Sequence, residues 1–211
     1  QNIGKKLSIK KNIFEIDKKI FFKGKIKYID HHEAHIASSL YFSKFEECIN
    51  LSIDGFGDFA SCAWGVFEKN KLNIDKRIHF PHSLGIFYQA ITQFLGFKNY
   101  GDEYKVMGLS SYGEPKYLKE MSKLLFNIND GFELNLNYFI HHNTNIIEND
   151  LNGQIKYKNL YSSKLIELLG KDKEGFEEIT QQHKDIAKSA QQIYEEVLFS
   201  LLNSLYKIYK I

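Results

Sequence analysis

With 211 residues and a mass of 24.7 kDa, the chain can bury one good core or two small lobes, and 43% hydrophobic with 26% charged residues is the balance of a globular protein. A net charge of +2 is too near neutral to support a nucleic-acid or anionic-membrane partner. No run approaches the roughly 18 apolar residues of a membrane span, and Gln1 to Lys11 is polar and basic, without the apolar centre of a signal peptide.

Two cysteines, Cys48 and Cys62, are too few for a secreted disulfide framework and match no zinc-ribbon spacing. They are expected as partly buried thiols of a cytoplasmic protein. Lys, Asn and Ile stand where Arg and Ala are usual, which reads as codon bias. The chain opens on Gln1 and closes in an amphipathic stretch, so residues 1–211 are expected to form a single partial domain, an internal segment of a larger protein.

In chain order, Phe14, Phe21 and Phe22 read as core residues among basic neighbours. Ile26-Lys27-Tyr28-Ile29 alternates as a short strand. From His31 to Phe45, Ala34, Ile36, Ala37, Leu40 and Tyr41 recur at helical spacing. Cys48 to Ile53, Ser61 to Glu68 and Leu72 to Phe80 read as a three-strand meander, with a tight turn at Lys69-Asn70-Lys71. Ser83 is a candidate N-cap for a helix with Leu84, Phe87, Tyr88, Ile91, Phe94 and Leu95 on its apolar face, and Gly96 stops it. Gly101 to Gly113 reads as loop and short helix, Leu118 to Phe126 as a helix, and Phe132 to Leu160 as short strands and loops. Ser162 to Leu169 is a short helix. Thr180 to Tyr209 is one long helix with Ile186, Ala190, Ile193, Val197, Leu198, Leu201, Leu202 and Leu205 inside. A meander followed by helices is an α/β pattern.

The chemistry concentrates in Asp30-His31-His32-Glu33-Ala34-His35 and Asp54-Gly55-Phe56-Gly57-Asp58. Residues four apart share a helical face, so His31 and His35 present two imidazoles to one point, and Asp54 can add a harder oxygen. This predicts a metal site. His32, turned about 100° from His31 on the helix, is assigned to substrate or to support of the ligands. Gly55, Phe56, Gly57 and Asp58 read as a phosphate-sized loop, since glycine permits positive φ and close backbone approach. Lys105, within Asp102-Glu103-Tyr104-Lys105-Val106-Met107-Gly108-Leu109, is a candidate for a phosphate or carbamoyl oxygen. His141, His142 and His183 have no pairing spacing and are expected at the surface.

From Tyr28 to Gly113 these segments resemble the carbamoyltransferases of the NodU/CmcH type. The resemblance rests on DHHEAH with ASSLYFS behind it, LSIDGFGD, HSLGIFYQAITQFLGF and GDEYKVMGLSSYG, in that order. The last helix is also similar, around Asp185-Ile186-Ala187 and Ser189-Ala190-Gln191-Gln192, whereas residues 114–180 match loosely. The resemblance implies part of an actin-like ATPase (ribonuclease H-like) domain. It implies a divalent metal, iron first and zinc second, on His31, His35 and Asp54, with nucleotide at Gly55 to Asp58 and Lys105 in contact with a ligand. It implies that ATP and carbamoyl phosphate give a carbamoyl-adenylate, whose carbamoyl group passes to a hydroxyl of a sugar or natural-product acceptor.

The family has further nucleotide- and metal-binding pieces on both sides of this stretch, so the 211 residues alone are expected to be inactive. Strand edges left open by a partial sheet would favour a homodimer. Two other readings stand beside this one. A sugar-kinase-type phosphotransferase needs the glycine loop and no histidine pair. A non-catalytic metal- or nucleotide-binding module would bind without turnover.

Overall fold

A computed structural model describes residues 25, 27–99, 101–149, 155–174 and 177–211. The expectations for Phe14, Phe21, Phe22 and Ile26 lie outside the described residues. Lys27 to Ile29 form no strand. They lead instead into Asp30, whose carboxylate caps helix α1 (His31–Leu40) by accepting the Glu33 N–H. Helix α1 ends before Phe45, and Ser43 satisfies its last carbonyls: the Ser43 N–H donates to the Ser39 carbonyl at 3.1 Å and its hydroxyl to the Leu40 carbonyl at 2.8 Å.

The meander forms as expected. Strands β1 (Cys48–Gly57), β2 (Ala60–Glu68) and β3 (Lys71–His79) pair antiparallel in the order β1-β2-β3. Strand β1 runs four residues past its predicted end, so the glycine-rich segment is strand, not loop. The register slips between Ile53 and Gly57. Ile53 faces Cys62 and Gly57 faces Ala60, which sets Asp54, Gly55 and Phe56 against Ser61 alone. Such a bulge bends a strand and re-aims its side chains.

Helix α2 (Leu84–Phe94) is capped by Ser83, whose hydroxyl accepts the Ile86 N–H at 3.1 Å, and Gly96 (φ 85°) lies just beyond its end. Nine of its residues are buried, including Thr92 and Gln93, so it is a central helix without a solvent face. Gln93 meets the cost of burial by accepting the Leu160 N–H (2.8 Å) and donating to the Lys158 carbonyl (3.2 Å).

Helix α3 (Glu103–Ser110) follows, then a single turn α4 (Leu118–Met121). The helix expected over 118–126 stops there. Leu125 pairs with Leu134 in a hairpin of β4 (Leu125–Ile128) and β5 (Gly131–Leu134), and both leucines are buried. A second small hairpin, β6 (Ile147–Asn149) and β7 (Ile155–Tyr157), precedes α5 (Ser163–Leu169) and the long α6 (Gln181–Tyr209). Ile186, Ala190, Ile193, Val197, Leu201 and Leu205 of α6 are buried. Leu198 is half-buried and Leu202 is exposed, so the apolar stripe is narrower than the sequence implied. Helix α6 packs on α2, α3 and β1. No described helix is long and apolar enough to cross a membrane.

Candidate metal centre

Three donors converge where the first turn of α1 meets the β1 bulge. His31 Nε2 lies 2.7 Å from Asp54 Oδ2, His35 Nε2 lies 2.9 Å from His31 Nε2, and His35 Nε2 lies 3.3 Å from Asp54 Oδ2. Ligands about 2.0–2.2 Å from one ion, at tetrahedral or octahedral angles, are about 2.8–3.6 Å apart. The observed separations lie in or next to that range, so small side-chain adjustments admit an ion. Among the described residues this is the one group of three or more such side chains close enough to share a metal. His35 is exposed, and His31 and Asp54 are partly so, an exposure that would leave coordination positions of an ion held there open to water or substrate.

Burial of the Asp54 carboxyl works against ionisation. The His31 hydrogen bond, the Gly55 N–H and the two imidazoles outweigh it, so the carboxyl is held below the usual carboxylate range. The Gly55 N–H donates to Asp54 Oδ1 at 2.6 Å, leaving Oδ2 towards the histidines.

Gly57 and Gly85 serve close approach, whereas a Cβ on Gly55 would meet open space. Positive φ falls on Asp58 (48°) and Phe59 (69°), the two residues of the hairpin turn, while Gly55 and Gly57 stay extended. A Cβ on Gly57 would sit 1.9 Å from His31 Cδ2, so its bareness makes room for the imidazole. A Cβ on Gly85 would sit 2.9 Å from Gly55 Cα, so that glycine lets the first turn of α2 lie on the bulge. Ser83 ties the same junction, donating to the Gly55 carbonyl at 2.8 Å.

The four residues expected to hold nucleotide therefore divide. Gly55 and Phe56 line a 590 Å³ cavity together with Asp54, Tyr88 of α2, Met107 of α3 and Tyr194 of α6. Gly57 lies under His31. Asp58 Oδ2 accepts the His31 backbone N–H at 3.1 Å, and a carboxylate there would repel phosphate.

His32 is wholly buried and both of its nitrogens are engaged. Nε2 donates to the Ala60 carbonyl (3.0 Å), so Nδ1 accepts from the Ser52 hydroxyl (2.8 Å). It pins α1 to β1 and β2 and offers substrate no nitrogen. Lys105 does not line the cavity. Its ammonium is paired with Asp102 at 2.6 Å and lies 5.8 Å from the ring centres of Phe97 and Tyr104.

His141 is buried rather than at the surface. Its Nε2 donates to the Pro81 carbonyl at 2.7 Å, its ring stacks on Phe56, and burial pushes its pKa down. His183 is half-buried and caps α6 by accepting the Thr180 N–H at 3.0 Å. Sequence reasoning passed over Ser52 and Arg77. Arg77 left a signal, being the single arginine among 28 basic residues.

The family model for the carbamoyltransferase N-terminus matches residues 2–211. The chain belongs to that family. It is 37% identical over 181 residues to an uncharacterized protein of Synechocystis, covering 84% of this chain and 27% of the relative. It is 30% identical over 180 residues to the nodulation protein NolNO of Sinorhizobium fredii, covering 84% and 23%. Nodulation protein NolO of Bradyrhizobium diazoefficiens is 31% identical over 178 residues, covering 82% and 28%. The chain thus spans about a quarter of the length of these relatives.

Proposed function

We propose that this chain supplies the metal-holding part of an ATP-dependent O-carbamoyltransferase with an actin-like ATPase fold. In the full protein, carbamoyl phosphate, water and ATP give a carbamoyl-adenylate with release of phosphate and pyrophosphate, and its carbamoyl group moves to a hydroxyl of a small-molecule acceptor, which loses its proton as AMP leaves. The observation that carries the reading is the convergence of His31, His35 and Asp54 on one point, beside a cavity, in a member of this family.

His31, His35 and Asp54 would hold a divalent metal, iron first and zinc second. When bound, such an ion supplies Lewis-acid polarisation and stabilises negative charge developing on oxygen. The chain's own residues do the rest. Asp54, ionised through its contacts with His31 and Gly55, keeps an anionic donor in place. The cavity is within the size range of ligand pockets, about 300–1,000 Å³. Phe56, Met107 and the Tyr88 and Tyr194 rings give it apolar walls against which an adenylate can pack, and Gly55 admits that group close to the backbone. Cys48 and Cys62 are free thiols, which suits the reducing cytoplasm.

The test is transfer of labelled carbamoyl from carbamoyl phosphate to an acceptor hydroxyl by the full-length protein. Transfer that needs ATP and is lost in His31→Ala and His35→Ala is the expected result. Phosphoryl transfer in its place would support the kinase reading, and full activity in both variants would remove the metal assignment.

A further inference from the structure

His31 is both a candidate ligand and the first residue of α1, so whatever fixes the start of that helix also fixes His31. Two carboxylates hold the start. Asp58 accepts the His31 N–H. Asp30 divides its oxygens: Oδ1 accepts the Glu33 N–H at 3.0 Å, and Oδ2 faces Arg77 Nη2 at 3.4 Å. Arg77 comes from β3, opposite Ala63 of β2. One guanidinium thus connects the third strand of the sheet to the cap of the metal-bearing helix.

This pair differs from an ordinary surface ion pair, which contributes little because two long side chains must be ordered in water. Both side chains are only 30% exposed. Arg77 Nε is buried, with no hydrogen-bond partner among the described residues, so the side chain is inserted as far as Nε rather than swinging in solvent. The composition points the same way. This chain uses lysine at every other basic position, yet keeps arginine here. A planar, fork-shaped cation has a fixed orientation that a flexible ammonium lacks.

We propose that Arg77 is a positioning residue for the metal centre: through Asp30 it sets where α1 begins, and so where the His31 imidazole points. The inference rests on the reading of His31, His35 and Asp54 as metal ligands. A merely structural ion pair would change the stability of the fold and leave the centre as it was.

The experiment is Co²⁺ titration of the demetallated full-length protein, followed by visible absorption, for wild type, Arg77→Met, Arg77→Lys, Asp30→Asn and the Arg77→Met/Asp30→Asn double variant. Asparagine caps helices as well as aspartate does, so Asp30→Asn removes the charge and keeps the cap. Arg77→Met and Asp30→Asn should each weaken Co²⁺ binding about tenfold and shift the absorption bands, as loss of a group supporting a ligand does. The double variant should be no weaker than either single one, because both act through one contact. Arg77→Lys should fall between, and it carries the test if Arg77→Met does not fold. Amide exchange at His31 and Glu33 in metal-free protein should be faster in the Arg77 variants.

Wild-type Co²⁺ binding that the Arg77 variants leave unchanged overturns this inference alone, as does additivity in the double variant. Absence of Co²⁺ binding in wild type, with faster exchange in the variants, overturns the metal reading and leaves the helix-start role standing. Unchanged exchange and unchanged binding together overturn the role entirely.

Discussion

The meander has two hairpin turns of the same build. Asp58 and Phe59 connect β1 to β2 with φ of 48° and 69°, and Lys69 and Asn70 connect β2 to β3 with φ of 51° and 60°. Two central residues at positive φ match the right-handed twist of the strands. Past Lys69-Asn70 the strands pair for four residues, Glu68 with Lys71, Phe67 with Leu72, Val66 with Asn73 and Gly65 with Ile74, before the register slips between Gly65 and Trp64. Past Asp58-Phe59 one pair forms, Gly57 with Ala60, and then the bulge intervenes. What separates the two is the set of distant partners that press on the first. The His31 ring lies over Gly57, the start of α1 sits on Asp58, and α2 rests on Gly55. The candidate centre is thus a departure from regular sheet, held open by contacts from two helices.

Glycine substitutions break this comparison most sharply. A Cβ on Gly65, which borders the register shift of the β2–β3 hairpin, would meet the Asn73 carbonyl oxygen at 1.9 Å, and backbone cannot move aside. Gly65→Ala should lose about 3 kcal/mol of stability in denaturant unfolding, and wild-type stability would show that the two strands part more easily than their pairing implies. Gly57→Ala presses on a side chain that can rotate. It should weaken metal binding about 100-fold while shifting stability by less than about 1 kcal/mol. Equal metal affinity in Gly57→Ala and wild type would mean that the His31 ring is not held where the structure has it.

The second pair of predictions is smaller. Asp185, buried on α6, accepts the Glu114 N–H at 2.9 Å and contacts Gln181 and Lys116. The Glu114 hydrogen bond leads in holding its carboxyl below the ordinary value of 3.8; burial opposes it, and Gln181 and Lys116 assist. Its contribution to stability is therefore full above that value and is lost as pH falls through the folded-state value. Asp185→Asn should cost about 2 kcal/mol at neutral pH and flatten the acid limb of the stability curve. An unchanged acid limb would place that pH dependence elsewhere. Phe59→Gly should add about 1 kcal/mol by relieving a left-handed bulky residue, since its ring is exposed. Asn70→Gly should gain less, because asparagine tolerates that conformation. A larger gain at Asn70 than at Phe59 would reverse the ranking of the two turns.

Local pattern carried most of the fold. Alternation and the Lys69-Asn70 turn located the meander, Ser83 and Gly96 bounded α2, and helical spacing set His31 and His35 side by side. What stayed hidden depends on partners far away in sequence. The stretch 118–126 has helical spacing, but Leu125 gains more by pairing with Leu134 and burying both side chains. Short apolar runs are ambiguous between helix and strand until such pairing is known. The bulge at Asp54 was illegible for the same reason, since it exists only relative to β2. The sequence offers His32 to substrate or to support of the ligands and His141 to the surface, and only the fold shows the carbonyls of Ala60 and Pro81 that receive their protons.

The most direct test of the account is metal analysis of the purified full-length protein, wild type against the His31→Ala/His35→Ala double variant. The account predicts about one iron or zinc ion per wild-type chain, lost in the double variant while the fold persists. Equal metal content in the two proteins, or none in either, would contradict it.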